Sequence, residues 1–136
     1  YRVARDRDRV AVAGSSLGGY MSLYTSARFG DQIGAALAFS PVALDQPMAG
    51  HVLRAFIATS PASHPQRYYL DMGDDEDLDY TTREALVANL GPIEEALRAA
   101  GHTDIWSRVI PGGVHDEVSW GERFGEVVDW WAQGWG

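Results

Sequence analysis

The sequence predicts an α/β fold, a mostly parallel sheet flanked by helices, and three observations carry that reading. Short apolar runs alternate with longer stretches of helical period, the pattern of consecutive β-α units. Gly14-Ser15-Ser16-Leu17-Gly18-Gly19 sits between a strand-like run and a helical pattern. Several of the apolar runs end in polar loops, which puts those loops together at the carboxyl edge of a parallel sheet.

Taken in order, the elements follow from periodicity and from their stops. Arg9-Val10-Ala11-Val12-Ala13 reads as a first strand. A helix runs from about Leu17 to Arg28, with Leu17, Tyr20, Met21 and Tyr24 on one face, and stops near Gly30. Ala35-Ala36-Leu37-Ala38-Phe39 is a second strand closed by Ser40-Pro41, and a short helix lies around Val52, Leu53, Phe56 and Ile57. The third strand, Arg67-Tyr68-Tyr69-Leu70-Asp71-Met72, ends at Gly73. Thr81-Thr82-Arg83-Glu84 forms a capping box for a helix carrying Leu86, Leu90, Ile93, Leu97 and Ala100. Gly91-Pro92 should kink that helix and Gly101 should end it. A fourth strand over 105–110 leads into the loop Pro111-Gly112-Gly113-Val114-His115, and a last helix carries Trp120, Phe124, Val127, Val128 and Trp131.

Composition narrows the function classes. The chain has 136 residues, 46% of them hydrophobic and 22% charged, which is material for one core and a single domain over 1–136. A net charge of -8 with scattered Lys and Arg argues for solubility and against nucleic acid as partner. No apolar stretch of membrane-spanning length and no leader-like start is present, so no membrane partner is expected. The opening Tyr1-Arg2-Val3-Ala4-Arg5 reads like the middle of a protein. The absence of cysteine excludes disulfides and thiolate metal sites and leaves the compartment open, with the cytoplasm as default.

The chemistry-bearing residues come in the order serine, acid, histidine. Gly14-Ser-Ser16-Leu-Gly18 fits Gly-x-Ser-x-Gly, a strand-to-helix corner that pushes the serine hydroxyl into the open. The same residues would otherwise serve only as a helix entry; the flanking strand and helix favour the nucleophile. A serine hydroxyl is almost un-ionised at neutral pH and needs a base. Of the four histidines, His115 alone follows a Gly-Gly turn at a strand end and precedes a helix; His51, His64 and His102 read as solvated. An acid must orient the base, and Asp71, Asp74, Asp75, Glu76, Asp77 and Asp79 all cluster around Gly73, with nothing in the spacing to choose among them. A calcium loop starting at Asp75 is rejected, because Tyr80 stands where its glycine belongs and Leu86 where its glutamate belongs. Neither a zinc-protease spacing nor a phosphate loop occurs, and no metal or cofactor is expected.

Four blocks carry a family resemblance: residues 9–20, Phe39-Ser40-Pro41, Tyr69-Leu70-Asp71-Met72-Gly73-Asp74-Asp75-Glu76, and Gly112-Gly113-Val114-His115-Asp116-Glu117-Val118-Ser119-Trp120. They resemble the Putative esterase family of α/β-hydrolases, which includes esterase D, feruloyl and acetyl-xylan esterases, enterochelin-type esterases and mycolyltransferases. The resemblance implies a small-molecule ester substrate, Ser16 as nucleophile, His115 as general base, and Glu76 as the acid, with Asp74 or Asp75 as substitutes. It also implies an oxyanion hole whose first donor is the Leu17 backbone N-H, the second coming from a loop that precedes this segment in the family. Family members are longer, and the chain resembles only their C-terminal half, so the expectation is an α/β-hydrolase-like domain lacking its N-terminal strands. Loss of one oxyanion donor costs about 100- to 1000-fold in rate. The expected activity is therefore weak carboxylic-ester hydrolysis. The alternatives are acyl transfer by the same residues, or a non-catalytic α/β fragment that needs its missing half or a partner. An open sheet edge implies a homodimer or pairing with the missing half.

Overall fold

The computed structural model describes residues 6–42, 48–60, 62 and 64–135. The opening 1–5, read above as mid-protein sequence, lie outside the described residues. Four strands, β1 (Ala11–Ser15), β2 (Ala35–Phe39), β3 (Arg67–Gly73) and β4 (Asp104–Ile110), form a parallel sheet in the order β1-β2-β3-β4. Between them run α1 (Leu17–Arg28), α2 (Met48–Ala58), α3 (Arg83–Ala88) and α4 (Leu90–Ala99), and α5 (Glu117–Ala132) follows β4. The α/β expectation therefore holds. Among the described residues no helix is long and apolar enough to cross a membrane.

The two central strands are buried on both faces, so β2 and β3 are largely apolar instead of alternating. Ala36, Ala38, Tyr68, Leu70 and Met72 face a core completed by Leu23 of α1, Leu53 and Ile57 of α2, Leu86 of α3, and Leu90, Ile93 and Leu97 of α4. The intervening Leu37, Phe39 and Tyr69 face Trp120 and Val127 of α5. Among the described residues one face thus carries α1 to α4 and the other carries α5.

Several boundaries differ from the sequence expectation, each for a local reason. β1 begins at Ala11, not Arg9, because residues Arg7–Arg9 wind into a 3-10 turn whose cap, Asp6, accepts the Asp8 N-H at 3.1 Å. It also extends through Gly14 to Ser15, which pair in register with Ala38 and Phe39. The capping box is displaced by one residue: Thr82, not Thr81, is the cap, its hydroxyl accepting the Ala85 N-H at 3.2 Å, so Glu84 does not reciprocate. The predicted kink is a break at Asn89, three residues before Pro92; proline lacks the N-H and its ring crowds the carbonyl one turn back.

α1 also turns a different face inward. Its buried residues are Gly19, Ser22, Leu23 and Ser26, while Leu17 and Met21 are exposed and Tyr20 and Tyr24 pack at the rim of the core. Small residues let the helix lie close on Ala36 and Ala38, and packing distance outweighs hydrophobicity in choosing the face. Edge position sets the burial of β1: Ala13 is exposed and its neighbours are half-buried, with β2 as the only strand beside it among the described residues.

Candidate active site

The loops after β1, β3 and β4 meet at the carboxyl edge of the sheet. Ser16 occupies the corner between β1 and α1 with φ of 55° and ψ of -125°, a conformation rarely adopted by a residue with a side chain. Its N-H bonds the Phe39 carbonyl at 3.0 Å, and its own carbonyl accepts from Tyr20 and Val42, so the corner is tied to β2 as well as to the helix. Gly14 and Gly19 make the corner possible. A Cβ on Gly14 would lie 2.5 Å from the Gly18 backbone, and one on Gly19 would lie 2.9 Å from the Phe39 carbonyl oxygen. Gly18 has open space where a Cβ would go, so the steric demand falls on Gly14 and Gly19, and not on the second glycine of the motif.

A second close approach brings the other two loops together. Gly73 at the end of β3 lies opposite Ile110 of β4, and a Cβ on Gly73 would overlap the Gly113 carbonyl. Asp74 and Asp75 stitch the loops through backbone bonds to Ile110 and Gly113, and the Asp74 carboxylate accepts the Gly112 N-H at 2.7 Å. Asp116 then caps α5 by accepting the Ser119 N-H at 2.7 Å, which holds His115 at the helix entrance.

These restraints bring Ser16, His115 and Glu76 into one hydrogen-bonded chain. His115 Nε2 lies 2.8 Å from Ser16 Oγ, and His115 Nδ1 lies 2.6 Å from Glu76 Oε2. Of the acidic cluster, Glu76 and Asp71 are fully buried, whereas Asp74, Asp75, Asp77 and Asp79 are exposed. Asp75 pairs with Arg83. Burial alone would push the Glu76 carboxyl up; hydrogen bonds from His115, the Ser40 hydroxyl and the Gly73 N-H, with the charge of His115, outweigh it and hold the group below the ordinary carboxylate range. Leu17 stands at the first position of α1, where backbone N-H groups have no acceptor within the helix.

The other histidines lie elsewhere. His51 is exposed on α2, its Nδ1 2.9 Å from Arg54, and His64 is exposed on the approach to β3. His102 departs from the solvated reading: it is only 2% exposed, because the chain reverses at Gly101, with φ of 102°, and folds the ring against Tyr68 at 4.8 Å between centroids. Burial lowers its pKa, so the neutral ring is favoured.

Residues that the motif does not contain complete the surroundings. Ser40, fully buried with φ of 44°, bonds Glu76 Oε1 at 2.5 Å, and Trp120 Nε1 donates to the Ser40 hydroxyl at 2.9 Å. The Trp120 ring meets His115 edge-on at 4.9 Å. Asp71 accepts the Ser40 N-H at 2.9 Å, the Tyr69 hydroxyl at 2.5 Å and the Arg123 guanidinium at 2.5 Å. Burial, together with the neighbouring Asp71 charge, pushes the Tyr69 hydroxyl far above its ordinary pKa. A serine before proline at a strand end and a tryptophan one turn into the last helix were the available signals. Neither specifies a partner on another element. Beside the corner, Ala13, Gly14, Ser15, Phe39, Trp120 and Phe124 line a largely apolar cleft of about 340 Å³.

A family model described as Putative esterase matches residues 1–130. The chain belongs to the Putative esterase family. No curated protein matches it significantly. This esterase-family chain is similar in fold to a ferulic acid esterase, with a TM-score of 0.66 and 22% identity over 96% of this chain and 53% of that one. It is similar to the enterochelin esterase of Shigella flexneri, with a TM-score of 0.68 and 25% identity over 96% of this chain and 32% of that one. An enterobactin esterase structure from Shigella flexneri, determined in the presence of 2,3-di-hydroxy-N-benzoyl-serine, gives 0.67 and 26% over 96% of this chain and 33% of that one. The esterase-family chain thus spans about half the length of the first of these proteins and about a third of the other two.

Proposed function

We propose that the chain is a serine hydrolase of carboxylic esters, and the observation that carries the proposal is the unbroken chain from Ser16 Oγ through His115 to Glu76. His115 Nε2 takes the Ser16 proton as Oγ attacks the ester carbonyl, and the carbonyl oxygen becomes an oxyanion facing the Leu17 N-H. The imidazolium then returns its proton to the departing alcohol, leaving the acyl group on Ser16. Water, deprotonated by His115, attacks the acyl-enzyme and releases the acid with Ser16 regenerated. Glu76 keeps the Nδ1 proton in place and offsets the positive charge on the ring during both steps. Low-molecular-weight esters are the substrate class, supported by membership of the Putative esterase family.

The test combines a fluorophosphonate probe with hydrolysis of p-nitrophenyl acetate. Wild-type protein should be labelled at Ser16 and should release p-nitrophenol, and Ser16→Ala should lose both while keeping its circular dichroism spectrum. Ser15→Ala should be mild by comparison. A folded wild-type chain that takes no label would instead support a non-catalytic module, and turnover retained in Ser16→Ala would remove the nucleophile assignment.

A further inference from the structure

We propose that Ser40 is a positioning residue for Glu76, fixing the plane of the carboxylate that faces His115. The inference rests on the reading of Ser16, His115 and Glu76 as the reacting chain. The direction of the hydrogen bonds follows from their chemistry. An indole N-H only donates, so Trp120 Nε1 must give its proton to Ser40 Oγ, and the Ser40 hydroxyl is left to donate to Glu76 Oε1. Oε1 also accepts the Gly73 N-H at 2.7 Å, while Oε2 meets His115 Nδ1. A carboxylate is planar, so two donors anchoring one oxygen determine where the other points. Without the hydroxyl, a single backbone donor remains on Oε1 and the group can swing.

Ser40 is itself held on every side. It lies at the carboxyl end of β2, between the strand that carries Ser16 and the strand that leads to Glu76. Its N-H bonds both the Asp71 carbonyl at 3.1 Å and the Asp71 carboxylate at 2.9 Å, and that carboxylate is clamped by Arg123 and Tyr69. The φ of 44° would suit glycine better than serine. Ser40 holds that conformation with its hydroxyl shared between Trp120 and Glu76. The titratable groups around Glu76 are His115 on the β4-α5 loop, the exposed Asp74, Asp75 and Asp77 of its own loop, and the Asp71–Arg123 pair, from β3 and α5, which is joined to it through Ser40.

Ser40→Ala and Ser40→Gly test the inference, the second relieving the backbone conformation while removing the same hydroxyl. In protein labelled with 13C at glutamate carboxyls, the Glu76 titration should move upward by about one pH unit in both variants, because a donor to its ionised form is gone. The kcat for p-nitrophenyl acetate should fall about tenfold to a hundredfold with KM unchanged, as expected for one hydrogen bond to a charged group. An unchanged Glu76 titration in either folded variant overturns the role, and so does wild-type kcat in the variants of an active enzyme. If the wild type hydrolyses no ester but the titration still shifts, the proposed function fails and the positioning of Glu76 stands.

Discussion

At Glu76, burial and hydrogen bonding oppose each other, and the bonds prevail. Its folded pKa lies below its unfolded one, so it contributes stability that is present above the unfolded value and is lost as pH falls through the lowered folded value. Urea denaturation of the wild type should therefore show stability falling as the pH is taken down through and below the ordinary carboxylate range, with a shallower fall in Glu76→Gln. The same neutralisation separates the carboxylates by function. Glu76→Gln should reduce ester turnover more than Asp74→Asn, Asp75→Asn or Asp77→Asn, because Glu76 alone of these touches His115. Asp74 bonds the Gly112 N-H and Asp75 pairs with Arg83, so their loss should show in loop stability rather than in kcat. Equal turnover in all four variants would contradict this division.

The strand-to-helix corner explains why glycines at neighbouring positions have unequal weight. Gly14→Ala drives a methyl into the backbone of Gly18, and backbone on a paired strand has nowhere to move. Gly18→Ala meets open space near the start of α1, where alanine is the better helix former. Urea melts should show Gly14→Ala destabilised by several kcal/mol, in the range of severe core overpacking. Gly18→Ala should stay within about 0.5 kcal/mol of wild type or gain slightly. Comparable losses in both would mean that the corner does not have this geometry in solution. The same reasoning applies where β3 meets β4: Gly73 and Gly113 touch through backbone, and that contact sets the distance between Glu76 and His115.

Across the whole molecule, the site lies near an edge of the sheet. β1 leads into Ser16 and has β2 on one side only, so the N-H and C=O groups of its other edge have no strand to meet among the described residues. Next to that edge, Ala13 is exposed, Phe124 is 47% exposed, and the apolar cleft opens between them. An edge of this kind is a template for another strand. We expect the purified chain to self-associate, read by sedimentation velocity as a concentration-dependent dimer or larger species, and to hydrolyse esters weakly. A stable monomer turning over esters at full rate would remove both expectations.

Periodicity and stops were enough for the four strands, for the helices apart from the break between α3 and α4, and, through the alternation of strand and helix, for the parallel arrangement, because residues near one another along the chain determine those features. Ser16 and His115 were legible for the same reason: each is announced by glycines at its own turn. The acidic cluster was not. Asp74, Asp75, Glu76 and Asp77 are equivalent along the chain, and only in the folded chain does Glu76 turn inward, onto Ser40, the Gly73 N-H and His115, while the others stay in water. Ser40 and Trp120 were invisible as partners because their contacts run from β2 to the loop after β3 and from α5 back to β2. The inward face of α1 and the burial of His102 likewise depended on what lay opposite. Local sequence determined which turns present Ser16 and His115; the packing of distant backbone segments decided which carboxylate reaches them and what holds it there.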